Sequence, residues 1–323
     1  MAEARFRAGL LAFLGLDFPS FISSCGLGGI CPSAAISRFV ASSVSGFVMS
    51  KPRRLCVFCG GYPISKEHIW AEWMFPYLPK TKAVNHGLSS ETIFPDRSET
   101  KVLKRSGEPQ SGRLRIACVS CNTGWMSRLQ TATKPILIPL IKGERVVLHR
   151  KAQSTLATWI AMFTMVAEYM SKDETKIGVP FSDRQWLKDE QTVPPNWKIW
   201  IANYHGGRIL RGFWVHTALP ISGEEDVPNR HHSGVDMPNT QTTTAIFGQL
   251  YTHSLSSRIS PIVRKQDMHG NGKRIIPRIW PFQRSPILWP LDPLPEDIAV
   301  GIAKAFADEG RRIAKGEPKP PRS

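Results

Sequence analysis

Two C-x-x-C pairs, Cys56-Val57-Phe58-Cys59 and Cys118-Val119-Ser120-Cys121, constrain what this chain can fold into more than any other feature. A two-residue spacer lets both thiolates of a tight turn point at one ion, and Gly60 after the first pair permits the positive φ such a turn requires. One pair alone could equally be a redox motif. Two together make a tetrahedral thiolate site, the usual arrangement for structural zinc where thiols stay reduced. Fifty-eight residues separate Cys59 from Cys118, against ~15–20 in compact zinc modules. Tripling a loop costs only ~1 kcal/mol in closure entropy, whereas zinc binding contributes ~10–16 kcal/mol in small modules. The long insertion is therefore tolerable.

The charge falls in the same region. The 323 residues carry 42 Lys and Arg against 26 Asp and Glu, a formal net charge of +16. Residues 49–150 hold 17 of the basic and 7 of the acidic side chains, so most of the excess surrounds the cysteines. Such an excess favours polyanionic partners, nucleic acid first, through phosphate neutralisation and counterion release. With 41% hydrophobic and 21% charged residues, the composition excludes wholesale disorder, collagen and a disulfide-rich toxin. The length suits two domains.

Residues 1–48 read unlike the rest. Arg5 and Arg7 precede an apolar run from Ala8 to Leu16, as in a secretory signal, but Asp17 and Pro19 break the chain's apolar character directly after it, and no clear cleavage site comes next. The expectation is a low-charge tail without a fold of its own, or a chain that truly starts at Met49, with Cys25 and Cys31 as bystanders. The longest uncharged stretch near a helical pattern, Ala152 to Ala167, falls short of a membrane span. A soluble cytoplasmic protein without membrane contact is the expectation.

Chemistry has to come from the neighbours of the cysteines. Lys66-Glu67-His68-Ile69-Trp70 follows the first pair, and the second runs directly into Asn122-Thr123-Gly124-Trp125-Met126-Ser127-Arg128-Leu129. This order, C-x-x-C, Glu-His, C-x-x-C-Asn, resembles the HNH (ββα-metal) endonuclease superfamily over about residues 54–132. The resemblance implies a small treble-clef, ββα-metal zinc domain with His68 as general base. A neutral imidazole at physiological pH suits that role. It also implies that Glu67 and Asn122 hold a catalytic Mg²⁺ or Mn²⁺ through oxygen, while Cys56, Cys59, Cys118 and Cys121 hold structural zinc. Successive side chains of a strand point to opposite faces, so the resemblance further implies a local bend that lets Glu67 and His68 flank one phosphate. Asn122 would begin a helix from Thr123 to about Thr131, with Trp125, Met126 and Leu129 on its packed face. The bracing asparagine of the family pattern has no clear counterpart; Asn85 is the one asparagine between His68 and Cys118. Lys66, Arg115 and Arg128 are candidate phosphate contacts, joined by the insertion's Lys80, Lys82, Arg97, Lys101, Lys104, Arg105 and Arg113.

The carboxy-terminal half reads as mixed helix and strand. A helix is predicted over Ser154 to Met170 with Ser154 as N-cap, and strands over Trp197–Tyr204, Ile209–His216 and Thr242–Leu250. A final helix is predicted around Glu296–Ile313. His231, His232, His253 and His269 look scattered in loops, and no second catalytic signature appears. The whole chain is thus expected to be α+β: a tail (1–48), an HNH-like zinc domain (49–145) with a polar insertion (about 76–113), an α+β domain (150–314) and a basic tail (315–323). Two function classes fit. One is a metal-dependent endonuclease hydrolysing phosphodiester bonds in DNA, with RNA left open; the other is a zinc-stabilised nucleic-acid-binding protein without cleavage.

Overall fold

The computed structural model describes residues 54–314 except 81–84, 94–97, 107–111, 172–175, 208–210, 222–236, 268–271 and 284. The amino-terminal tail with Cys25 and Cys31, the basic tail, His231, His232, His269, Lys82 and Arg97 lie outside the described residues. The architecture is mixed helix and sheet, α+β as predicted.

The amino-terminal part is built on two short strands, β1 (Glu67–His68) and β4 (Arg113–Leu114), paired antiparallel. Between them the insertion forms its own hairpin of β2 (Asn85–Ile93) and β3 (Ser98–Ser106). The sequence suggested only a polar, turn-rich loop there. Asn85 opens β2. After β4 a helix begins at Val119, four residues before its predicted start, because Cys118 accepts from the backbone N–H of Cys121 at 3.4 Å and caps it. Within Asn122–Met126 the chain kinks at Gly124, whose φ of −91° and ψ of −109° are not helical, and a second helix, α1 (Ser127–Lys142), follows. Trp125, Met126 and Leu129 are buried on its packed face, as predicted.

A short strand β5 (Val146–Leu148) leads into α2 (Arg150–Ala167). This helix starts four residues ahead of Ser154, which therefore lies inside it and does not cap it. After α3 (Phe181–Glu190) comes a twisted sheet of β6 (Trp197–Tyr204), β7 (Trp214–Leu219), β8 (Thr240–Phe247), β9 (Leu250–Ser257), β10 (Arg278–Trp280) and β12 (Pro293–Leu294). Its order is β10-β6-β9-β8-β7, with β12 parallel to the end of β6 and every other pairing antiparallel. A two-stranded pair joins β5 to β11 (Ile287–Trp289). The last helix, α4 (Glu296–Ala314), runs one residue past its predicted end.

Both faces of the sheet are covered. On one, Thr164 of α2 hydrogen-bonds Ser254 at 3.0 Å; on the other, Ile298, Ala299 and Ile302 of α4 join Trp200, Tyr204, Ile246 and Tyr251. Double coverage explains why β8 and β9 are buried at every position although Thr and Ser dominate them. His253 accordingly sits inside β9 and not in a loop.

One apolar core runs through both halves. Trp70, just after β1, packs on Phe163 of α2 at 5.6 Å and on Phe247 of β8 at 4.8 Å between ring centroids. Pairs of this kind contribute ~0.5–1.5 kcal/mol each beyond the area they bury. The end of α1 also meets the β8–β9 turn backbone to backbone. The Gln249 N–H donates to the Ile141 carbonyl at 2.9 Å. Gly248 has φ +61°, and a Cβ there would come within 2.4 Å of that same carbonyl oxygen, so the contact requires glycine on both counts.

Candidate metal centre and its polar flank

The four sulfurs of Cys56, Cys59, Cys118 and Cys121 lie within 4.8 Å of one another and could hold a metal ion. Among the described residues no other group of three or more His, Cys, Asp or Glu side chains is close enough to do so. Cys59 Sγ is 3.6 Å from both Cys118 Sγ and Cys121 Sγ, far beyond a bonded sulfur pair. Bonds of ~2.3 Å to a tetrahedral ion give a sulfur–sulfur edge of ~3.8 Å. Two turns aim the sulfurs. Cys56 carbonyl accepts from the Gly60 N–H, with Gly60 at φ +70°, and the Gly61 N–H donates to Cys59 Sγ at 3.4 Å. The positive φ predicted for Gly60 is thus found. Backbone bonds from Val57 to Ile116 and from Val119 to Pro63 hold the two turns face to face.

Burial pushes the thiols of Cys59 and Cys121 up. For Cys56 burial acts in the same sense but is outweighed by the N–H groups of Cys118, Phe58 and Cys59, and the net shift is down. An ion held by these four groups would take them as thiolates and release their protons.

The second turn places Asn122 against the strand that carries Glu67 and His68. Asn122 Nδ2 donates to Ser65 Oγ at 3.0 Å and to the Lys66 carbonyl at 3.4 Å. Ser65 Oγ in turn donates to the Ala117 carbonyl at 3.1 Å, so it must accept from Asn122. That direction fixes which amide atom faces it and leaves Oδ1 as the one remaining metal-donor atom of Asn122. Through these two bonds Asn122 ties the start of the helix to the segment that precedes Glu67.

Ile64 bridges Cys118, while Glu67 pairs with Leu114. Three steps along one strand thus oppose four along the other, a bulge-like slip in register between Ile64 and Glu67. Beyond it the pairing is regular, and opposite partners share a side. Glu67 and Leu114 are buried, whereas His68 is half-buried opposite exposed Arg113. Lys66 and Arg115 are also exposed. The flank therefore has an inner side with Glu67 and an outer, basic side with Lys66, His68, Arg113 and Arg115. Arg128 is exposed on α1.

The carboxylate of Glu67, a residue 8% exposed, makes no hydrogen bond or ion pair with any described residue, and burial pushes it up to about 7. His68 Nε2 accepts from Arg113 Nε at 2.7 Å, and its ring meets Phe75 edge-on with centroids 6.2 Å apart. Burial and the Arg113 charge hold the imidazole below its ordinary value, with Glu72 acting in the opposite sense. The sequence did not single out Arg113 beside His68. Forty-five positions separate them, and only the strand register brings them together. Ser65 carried no signal at all.

Elsewhere, no helix among the described residues is long and apolar enough to cross a membrane. Compared with protein-family models, with characterised proteins and with solved structures, the chain matches none.

Proposed function

We propose that the protein is a metal-dependent endonuclease of the HNH type that hydrolyses phosphodiester bonds in DNA. The supporting observation is the coupling between the cysteine cluster and the Glu-His strand: the turn that ends in Cys121 presents Asn122, whose amide grips Ser65 and Lys66 immediately before Glu67 and His68. The thiolate ion is read as structural zinc, because four sulfurs in two turns with this spacing suit it and leave no open position. Its role is to fix Asn122 relative to the strand.

Glu67 and the free Oδ1 of Asn122 are the oxygen donors that would hold Mg²⁺ or Mn²⁺, and an otherwise unpartnered buried carboxylate suits a cation. Such an ion, when bound, polarises the phosphoryl oxygen and offsets charge on the leaving oxygen. His68, held neutral, accepts a proton from water through Nε2. The water oxygen then bonds to phosphorus, the bond to the ester oxygen breaks, and that oxygen is protonated by solvent. Lys66, Arg115 and Arg128 grip flanking phosphates in a sequence-independent way. A plasmid-nicking assay with Mg²⁺ or Mn²⁺, comparing the wild type with His68→Ala, tests the reading. Nicking by the wild type alone is expected, and equal activity of the two would reject it.

The second reading, a zinc-stabilised nucleic-acid binder without cleavage, draws on one specific observation. Glu67 lies on the inner side of the strand and His68 on the outer. Tight DNA binding by zinc-loaded protein that cuts neither duplex, branched nor single-stranded DNA nor RNA would favour it.

A further inference from the structure

Arg113 occupies the one atom of His68 that the proposed chemistry needs free. Its Nε–H donates to Nε2 at 2.7 Å, which assigns the ring proton to Nδ1 and uses the Nε2 lone pair. The rest of the guanidinium is exposed and has no carboxylate partner among the described residues. The groups facing the imidazole are few: Arg113 from β4, Glu72 and the ring of Phe75 from the turn that follows β1. An arginine fork is built to take a phosphate through two parallel N–H bonds. A phosphate outcompetes a neutral imidazole nitrogen for the same donors, since it adds an opposite charge and a second parallel N–H bond to the fork.

We propose that Arg113 is a substrate-released latch: in the free protein it fixes the tautomer and orientation of His68 and masks Nε2, and an arriving phosphodiester draws the guanidinium away and uncovers the base. The latch rests on the nuclease reading. It makes Arg113 a positioning residue whose release couples phosphate binding to the availability of the base, so that water is not activated without substrate. No bond is made or broken in the hand-over; one hydrogen bond is exchanged for two.

The resting bond can be tested without any cleavage. In the neutral tautomer assigned here Nε2 is the ring's only nucleophilic atom, so diethyl pyrocarbonate should acylate His68 slowly in the full-length wild type. Arg113→Ala should accelerate it about tenfold, the low end of what one charge-assisted hydrogen bond carries. Exposed His149 is the internal control and should not change. Because Arg113 is exposed, the variant should melt with the wild type. Equal acylation of His68 in both proteins would remove the latch.

The hand-over is read by nitrogen NMR of the histidine rings during titration with a 12-base-pair duplex, with no divalent cation added. The His68 Nε2 resonance of the wild type should move on binding toward the position it already holds in free Arg113→Ala. Binding without that movement would overturn the hand-over and leave Arg113 a static clamp. Absence of binding in both proteins would remove the nuclease reading, and the hand-over with it, while the acylation rates would still report the resting bond.

Discussion

Inside the six-stranded sheet, buried hydroxyls, amides and imidazoles mostly find one another; beside the cysteines the buried Glu67 carboxylate does not. Ser256 accepts from Gln241, Gln241 from Thr243, and Thr243 meets His216 at 2.8 Å. Nearby, Glu168 accepts from the N–H groups of Gly178 and Val179 and from Arg184. His216 has both ring nitrogens committed and is buried. The cysteine region is the opposite case. Burial drives two of its thiols up, the Glu67 carboxylate is buried with no described partner, and the single bond to His68 Nε2 comes from an exposed cation. A buried polar group that the chain satisfies is architecture, whereas one it leaves unsatisfied points to a ligand. By that criterion the sheet is closed apart from Trp200 Nε1, Asn203 Oδ1 and Tyr251 Oη, and the surroundings of the Glu67 carboxylate are open.

The contrast breaks first at the thiols. Cys118→Ser should lose the ion and, with ~10–16 kcal/mol of apparent binding energy at stake, most of the stability of the segment around it. Metal analysis and thermal melting check this, and His68→Ala should melt with the wild type. Equal melting of Cys118→Ser and wild type would show that the open region needs no ion.

Next comes the closed side. Glu168→Ala would leave the Arg184 guanidinium buried without its carboxylate and should cost about 3–5 kcal/mol. Chemical denaturation measures the loss, and bound metal should stay at the wild-type level. Metal loss in this variant would mean that the two regions are not separate in what they require.

Acid should act on the sheet as well. Burial brings the His253 imidazole down to about 4, against ~6.5 in the unfolded chain. Between those values the unfolded state binds the extra proton, so stability rises with pH. It is complete above ~6.5 and falls by about 3 kcal/mol as pH drops toward 4. His216, also held down by burial, adds in the same direction. Urea unfolding from pH 7 to 4 should show this limb, and His253→Gln should flatten it. A limb unchanged by the substitution would place the acid sensitivity elsewhere.

What could be read from the residues divides along the same line. The C-x-x-C turns, β6 and the last helix were legible, because each is specified by local spacing or by an uninterrupted local pattern. β9 was not: Leu250-Tyr251-Thr252-His253-Ser254-Leu255-Ser256-Ser257 alternates in neither sense, since both sheet faces are covered and its polar atoms bond to neighbours distant in sequence. The start of α2 at Arg150 was missed because its first turn is charged and polar, and only packing behind it reveals the helix. At the site, residue types were legible and relations were not. Glu67, His68 and Asn122 stand out in the sequence, but the tie made by Asn122 and the Arg113–His68 pair depend on a strand register closed across the insertion.

The smallest effect concerns the outer, basic side and sharpens what "open" means. Arg115 is exposed, and no hydrogen bond or ion pair to a described residue involves its side chain. Arg115→Ala should therefore change folding stability by less than ~0.5 kcal/mol. If the residue grips a phosphate, affinity for any duplex should fall uniformly, and the slope of log affinity against log salt should shrink by about one. A measured slope equal to that of the wild type would mean that this cation faces only water. The open character of the region would then belong to the thiols and the buried carboxylate, and not to its charged surface.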